Sequence, residues 1–102
     1  MVLLEFSMSP FEKGESLGKY VARVIDVIDK SGITYRLNPM GTILEGEYSE
    51  VMNVVEKCFR ELEKDCNRIS VSIKIDYRKG TESRLNSKIK TIESVLGRKV
   101  KT

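Results

Sequence analysis

The chain has 102 residues, of which 40% are hydrophobic and 32% charged, as in soluble globular domains and unlike disordered or membrane-embedded proteins. It contains no histidine, which removes the commonest general base and metal ligand and excludes catalysis by Ser-His or Cys-His pairs. The net charge of +3 is uneven, because residues 78–102 carry 8 basic and 2 acidic side chains while the rest is mildly acidic. A basic tail of this kind is most often the solvated face of a terminal helix.

The amino-terminal residues predict a cytoplasmic protein. The start lacks a basic segment and Glu5 interrupts its apolar stretch, so we expect no signal peptide. No apolar run approaches the roughly 20 residues that span a bilayer. Cys58 and Cys66 are too few for a disulfide framework or a cysteine-built zinc site, and on one helix they would lie too far apart to bridge. We therefore expect two reduced thiols, no metal and no cofactor.

In chain order, the first half of the sequence predicts a strand, a helix and a hairpin. Alternating apolar residues indicate a half-buried strand over residues 2–8. Ser16 suits the N-cap of a helix that ends at Gly32, because the apolar residues between them recur at helical spacing. Residues 33–37 alternate again, and residues 42–44 start a third strand so soon afterwards that the two strands should form a hairpin.

The second half predicts a helix, a long strand and a short terminal helix. Ser49 opens the second helix, which fades in the polar stretch 63–67. The clearest strand follows over residues 69–78, with apolar and polar side chains on opposite faces. A short helix ends at Gly97. The whole order predicts one α+β domain over residues 1–102, a ferredoxin-like βαββαβ antiparallel sheet with an extra C-terminal helix.

Right-handed crossovers place both main helices on one side of such a sheet and leave its other face open. Strand parity points Thr42 and Leu44 toward the helices. The open face then receives a mixture of polar and apolar side chains: Leu3, Glu5, Ser7, Ile43, Glu45, Lys74 and Asp76. This face is either the solvated side of an antiparallel sheet, the usual arrangement, or half of an interface between two copies, with ligand pockets at the seam.

Catalysis and nucleic-acid binding are both disfavoured. Glu5, Glu45 and Asp76 could in principle supply an acid and a base, but no metal-binding set or phosphate loop accompanies them. Residues 14–18 have the letters G-x-S-x-G without a histidine partner, so we treat the match as accidental. Three acids on the open face would repel RNA phosphates, and the base-stacking aromatics of RNA-binding sheets are missing. We expect no enzyme activity, and neither nucleic acid nor membrane as a partner.

The hairpin carries a family resemblance. Residues 35–46 resemble the Y-x-L-x-P-M-G-T-x-x-E-G stretch of the small thiamine-binding protein family. Residues 5–7 with Pro10, and residues 72–76 with Arg78, match as well, so the resemblance covers nearly the whole chain. It implies a ferredoxin-like subunit that pairs through its sheets, as a dimer or a tetramer. It also implies a pocket for thiamine or its hydroxymethylpyrimidine part, without catalysis.

The resemblance and the chemistry of thiamine together indicate which residues could bind the ligand. A carboxylate and hydroxyls can orient an aminopyrimidine, the cationic thiazolium would favour an acid, and an aromatic or thioether group can pack on a ring. The candidates are Glu5, Ser7, Tyr35, Met40, Thr42, Glu45, Lys74 and Asp76. The expected role is that of a carrier, buffer or sensor. The alternative is a regulatory oligomeric module that binds another small metabolite.

Overall fold

A computed structural model describes residues 1–11 and 17–102 of the chain. The elements are β1 (Val2–Pro10), α1 (Gly18–Ser31), β2 (Thr34–Asn38), β3 (Gly41–Gly46), α2 (Tyr48–Glu63), β4 (Ile69–Tyr77) and α3 (Ser87–Leu96). The strands form one antiparallel sheet in the order β2-β3-β1-β4. The predicted ferredoxin-like fold with a terminal helix is confirmed. The predicted N-cap Ser16 and most of the G-x-S-x-G segment lie outside the described residues.

The core lies between the two long helices and one face of the sheet. The side chains of β1 alternate as predicted, and those that point toward the helices are buried: Val2, Leu4, Phe6 and Met8. Pairing of Phe6 with Thr42 puts Thr42 and Leu44 on the same side, where both are buried. Glu45 therefore lies on the opposite face, as strand parity predicted.

The ends of the helices follow local chemistry. α1 stops at Gly32, whose φ of 78° is the left-handed conformation that glycine adopts without steric cost. α2 begins at Tyr48, one residue before the predicted Ser49. Its start is stabilised by a capping box in which the side chains of Glu47 and Glu50 each accept a hydrogen bond from the other's backbone N–H.

The helices do not cover the whole of their face of the sheet. On β4, Val71, Ile73 and Ile75 point to the helix side but remain 38%, 42% and 38% exposed. The expectation of a fully covered face is therefore wrong at this edge. The third helix, α3, buries no residue. The Cα radius of gyration is 15.3 Å, above the roughly 13 Å of a compact 100-residue domain, so the molecule is elongated.

Both cysteines are free, as predicted, and both are buried. Burial raises the pKa of the Cys58 thiol to about 12, and its Sγ lies 3.7 Å from the carbonyl oxygen of Val24 on α1. The thiol is therefore protonated at neutral pH and packs as a small apolar group between the two helices.

We predict that Cys58 does not react with a thiol reagent at pH 8 in the folded protein, because reaction needs an accessible thiolate. Mass spectrometry of labelled peptides would measure this, with labelling in guanidinium as the control. Stability should fall as the pH rises above about 8.5, since an unfolded thiol ionises there while the folded one does not until about pH 12. Equal labelling of Cys58 in the folded and unfolded protein would contradict the prediction.

Candidate functional site

A gap opens in the sheet beside the last residues of β1, because the antiparallel strand β3 begins only at Gly41. β1 pairs with β4 over its whole length, from Val2 to Pro10. With β3 it pairs only from Val2 to Phe6. The remaining residues of β1 face the two-residue turn, Pro39 and Met40, that joins β2 to β3. Among residues 1–11 and 17–102, no strand pairs with this side of β1 beyond Phe6.

The hydrogen-bond pattern shows which backbone groups point into this gap. Arg78 N–H donates to the Met1 carbonyl at 3.1 Å, and Phe11 N–H donates to the Arg68 carbonyl at 3.0 Å. In an antiparallel sheet, residues that bond to one neighbour alternate with residues that face the other. Odd-numbered residues of β1 therefore bond to β4, and even-numbered ones face β3. Met8 accordingly directs its N–H and C=O into the gap, beyond the last residue that pairs with β3.

An apolar cavity of about 460 Å³ lies on the helix side of the gap. The end of β1, the amino-terminal part of α1 and the hairpin turn enclose it. None of the described residues that line it is charged. Its principal lining residues are Met8, Val21, Ile25, Leu37, Met40 and Thr42.

A smaller hollow of about 130 Å³ lies on the open face of the sheet. It contains a carboxylate, an ammonium group and hydroxyls, because it is lined by Glu5, Ser7, Met40, Ser72 and Lys74. Glu5 and Lys74 are directly opposite each other on neighbouring strands, where opposite charges attract. The two hollows share Ser7 and Met40, so the gap joins an apolar space to a polar one.

Gly41 allows Glu5 to lie against the hairpin. A Cβ at this position would meet the Phe6 carbonyl oxygen at 3.2 Å and the Glu5 Cγ at 3.4 Å. Gly41 does not adopt a positive φ, so the turn does not depend on the left-handed conformation that glycine favours. Close approach of the neighbouring strand is what requires a glycine here.

Tyr35 does not contribute to either hollow. Its side chain lies on the helix side and its hydroxyl donates to Asp29 Oδ1 at 2.9 Å. This hydrogen bond to the carboxylate raises the pKa of the Tyr35 hydroxyl. The contact joins β2 to the end of α1, which indicates a structural role.

Glu45 is also engaged elsewhere. It is only 7% exposed, although it lies on the open face, because the segment after β4 covers it. Its Oε1 accepts from Ser83 Oγ and its Oε2 accepts from the Arg84 N–H, both at 2.6 Å. Asp76 lies nearby and forms a 3.6 Å ion pair with Arg78. The crevice that Glu45 and Asp76 share measures about 10 Å³, so it holds no more than a water molecule.

The structure therefore divides the predicted site. The residues that line a hollow beside the gap are Glu5, Ser7, Met40, Thr42 and Lys74. Tyr35, Glu45 and Asp76 lie apart from it. Sequence analysis did not identify the Met8 peptide as a binding group, because side-chain periodicity does not show where one strand extends beyond the strand it pairs with. The only sequence signal was the short hairpin, which limits how far β3 can extend.

Two further observations bear on the class of site. The described residues contain no group of three or more histidine, cysteine, aspartate or glutamate side chains that could hold a metal ion. In the same part of the chain, no helix combines the length and the apolar composition needed to cross a membrane.

We predict that Glu45→Gln loosens the segment over residues 78–86. A glutamine replaces one of the two acceptor oxygens by an NH2 group that only donates and removes the negative charge, so the two hydrogen bonds from Ser83 and Arg84 cannot both persist as charge-assisted bonds, at a cost of about 1–3 kcal/mol. Urea unfolding should show this loss, and limited proteolysis should cut the segment faster. Glu82→Gln, an exposed change in the same segment, is the matched control. Identical unfolding and cleavage of the two variants would contradict the anchoring role.

Comparison with known proteins agrees with this architecture. The family model described as thiamine-binding protein matches residues 4–93. A UPF0045 protein from Methanocaldococcus jannaschii is 36% identical over 89% of this chain and 91% of its own length. The crystal structure of a hypothetical protein from that organism superposes with a TM-score of 0.81, over 89% of this chain and 94% of that one. A UPF0045 protein from Mycobacterium tuberculosis is 35% identical over 93% of this chain and 94% of the relative.

A further solved structure has a name that refers to thiamine. A proposed thiamine biosynthesis/salvage protein from Thermotoga maritima is 27% identical and superposes with a TM-score of 0.78, over 89% of this chain and 97% of that one. The family match extends through α1, α2, the strands β2, β3 and β4, most of β1 and part of α3. The chain belongs to the thiamine-binding protein family.

Proposed function

We propose that this protein binds thiamine or its hydroxymethylpyrimidine part without transforming it, as a cytoplasmic carrier, buffer or sensor. The ligand would occupy the gap between the end of β1 and the turn at Pro39 and Met40. One observation carries the proposal: the peptide group of Met8, which pairs with no strand among the described residues on that side, borders an apolar cavity that joins a hollow containing a carboxylate. The family match supports the choice of ligand.

The cavity suits the pyrimidine ring. Its volume of about 460 Å³ lies within the roughly 300–1,000 Å³ of small-molecule sites, which combine apolar walls with a few oriented polar groups. An aminopyrimidine presents an amino donor beside a ring-nitrogen acceptor, and the Met8 peptide presents C=O and N–H on the same side. The two edges are complementary. Leu37 and the thioether of Met40 would pack against the ring faces.

The open-face hollow suits the thiazolium ring, which is positively charged. Glu5 supplies the carboxylate and Ser7 a hydroxyl, and both lie where the hollow meets the gap. Lys74 lies directly opposite Glu5 on β4 and would compete with a bound cation for that carboxylate. Free hydroxymethylpyrimidine has no positive ring and would not use Glu5.

A second copy of the chain would complete this hollow. About 130 Å³ is too shallow to enclose a ring system, and the neighbouring Leu3 and Ile43 are apolar and half-buried on the open face. Pairing of two subunits through their sheet faces would bury these side chains and close the hollow over its ligand.

A binding role without catalysis is consistent with the reactive groups that the chain offers. It has no histidine, and both of its thiols are buried. The described residues that border the gap include no side chain paired with a base in the manner of an activated nucleophile.

We predict that isothermal titration detects binding of both thiamine and hydroxymethylpyrimidine. Glu5→Gln should weaken thiamine binding about ten- to a hundredfold, because an interaction with a charged group contributes about 1.5–3 kcal/mol, and should leave hydroxymethylpyrimidine binding almost unchanged. Glu82→Gln is the control of equal charge change. Absence of heat and of a thermal shift at millimolar concentrations of either compound would refute the proposed function. Equal weakening of both ligands by Glu5→Gln would refute the placement of the thiazolium.

A further inference from the structure

A further hollow, of about 810 Å³, lies between the open face of β2 and α3. It is separate from the two hollows beside the gap. Among the described lining residues it shares only Asn38 with the apolar cavity and none with the polar hollow. Its walls come from β2, from one face of α3 and from the segment that follows α3. The principal lining side chains are Arg36, Asn86, Ile89, Lys90, Glu93 and Lys99.

The side chains around this basic hollow carry an excess of positive charge. Arg36 on β2, Lys90 on α3 and Lys99 after α3 are basic, whereas Glu93 is the single acid among the described lining residues. Within the part of the chain that the structure describes, none of the three basic side chains forms an ion pair with an acid. Their charge is therefore available to a ligand.

Glu93 is occupied with holding the chain that follows α3. Its Oε2 accepts a hydrogen bond from the Val100 N–H at 2.9 Å. The helix ends at Gly97 in the left-handed conformation, with a φ of 71°, and the contact to Glu93 then keeps the following segment against the helix. Lys99 lies in this segment and is thereby brought to the wall of the basic hollow.

Arg36 is held in place while most of its donors remain free. The side chain is half-buried, and one terminal nitrogen of its guanidinium donates to Asn86 Oδ1 at the start of α3. A guanidinium has five N–H donors in a planar fork that matches the spacing of phosphate oxygens. The amide oxygen of Asn86 leaves the other terminal nitrogen and Nε to donate to a ligand.

The solvated face of a terminal helix does not account for this cluster. Such a face carries its charges on one element, directed into water. Here the three cations come from three separate segments and surround one concave space, while the nearby Lys88 and Lys101 do not line it. A cleft lined by one sign of charge focuses its field and concentrates ions of the opposite sign.

We propose that the basic hollow binds a small organic anion that carries a diphosphate or triphosphate group. Phosphate oxygens accept the charge-assisted hydrogen bonds that guanidinium and ammonium groups donate. A diphosphate extends over two linked groups and carries more charge than one phosphate, so it can contact cations on more than one wall.

The size of the hollow favours an organic part in addition to the phosphates. Its volume of about 810 Å³ lies within the roughly 300–1,000 Å³ of small-molecule sites, and a bare diphosphate would leave much of it unfilled. Asn38 offers an amide and Ile89 an apolar side chain, which would contact this organic part. A nucleoside diphosphate has the required chemistry, and its binding here does not depend on thiamine binding in the gap.

Isothermal titration with ADP, pyrophosphate and inorganic phosphate, at low ionic strength and without divalent cations, tests the proposal. ADP should bind most tightly, and phosphate about tenfold or more weakly than pyrophosphate, because it reaches fewer cations. Arg36→Gln and Lys90→Gln should each weaken ADP about tenfold or more, since each removes a charge-assisted contact. Lys88→Gln, the same charge change at an exposed residue of α3 outside the hollow, is the matched control and should keep the wild-type affinity.

Absence of heat with both ADP and pyrophosphate at millimolar concentration would overturn the proposal. So would equal weakening of ADP by Lys88→Gln and Lys90→Gln, because the attraction would then come from the general charge of the segment. Phosphate that binds as tightly as pyrophosphate would contradict the diphosphate requirement, and pyrophosphate that binds as tightly as ADP would contradict the organic part. Thiamine affinity should be unchanged in Lys90→Gln, so the two sites are tested by separate titrations.

Discussion

The unequal pairing of β1 with its two neighbours is the constraint on which the rest of the structure depends. A strand offers its backbone groups alternately to two sides, and β1 uses both sides only as far as Phe6. Beyond that residue the peptide group of Met8 is left facing the hairpin turn. The apolar cavity, the hollow around Glu5 and the close approach of Gly41 all lie around this unpaired end.

The fold was predictable from the sequence because it follows from side-chain alternation and helical spacing. From Val2 to Met8 the parity of β1 separates buried positions from half-buried or exposed ones, and the same logic placed Thr42 and Glu45 on opposite faces. The stop at Gly32 and the hairpin followed from local residue types. These features depend on neighbours in sequence or on the parity of a strand, which periodicity reports directly.

The site was only partly predictable because its composition depends on segments without periodicity. The engagement of Glu45 follows from the path of residues 78–86, which bring Ser83 onto the carboxylate. Nothing in the sequence indicates that Tyr35 donates to Asp29. The partial exposure of Val71, Ile73 and Ile75 on β4 could not be foreseen either, since alternation predicts which side of a sheet a residue faces but not how far the helices extend over it.

The uncovered edge of β4 also has a consequence for solubility. Its sequence alternates β-branched residues with small polar ones and carries a single positive charge between Ile69 and Ile75, a composition prone to cross-β stacking when it is exposed. Any partner that covered this edge would therefore protect the protein against aggregation. Damage to this edge would then lower the yield of soluble protein before it altered the ligand site.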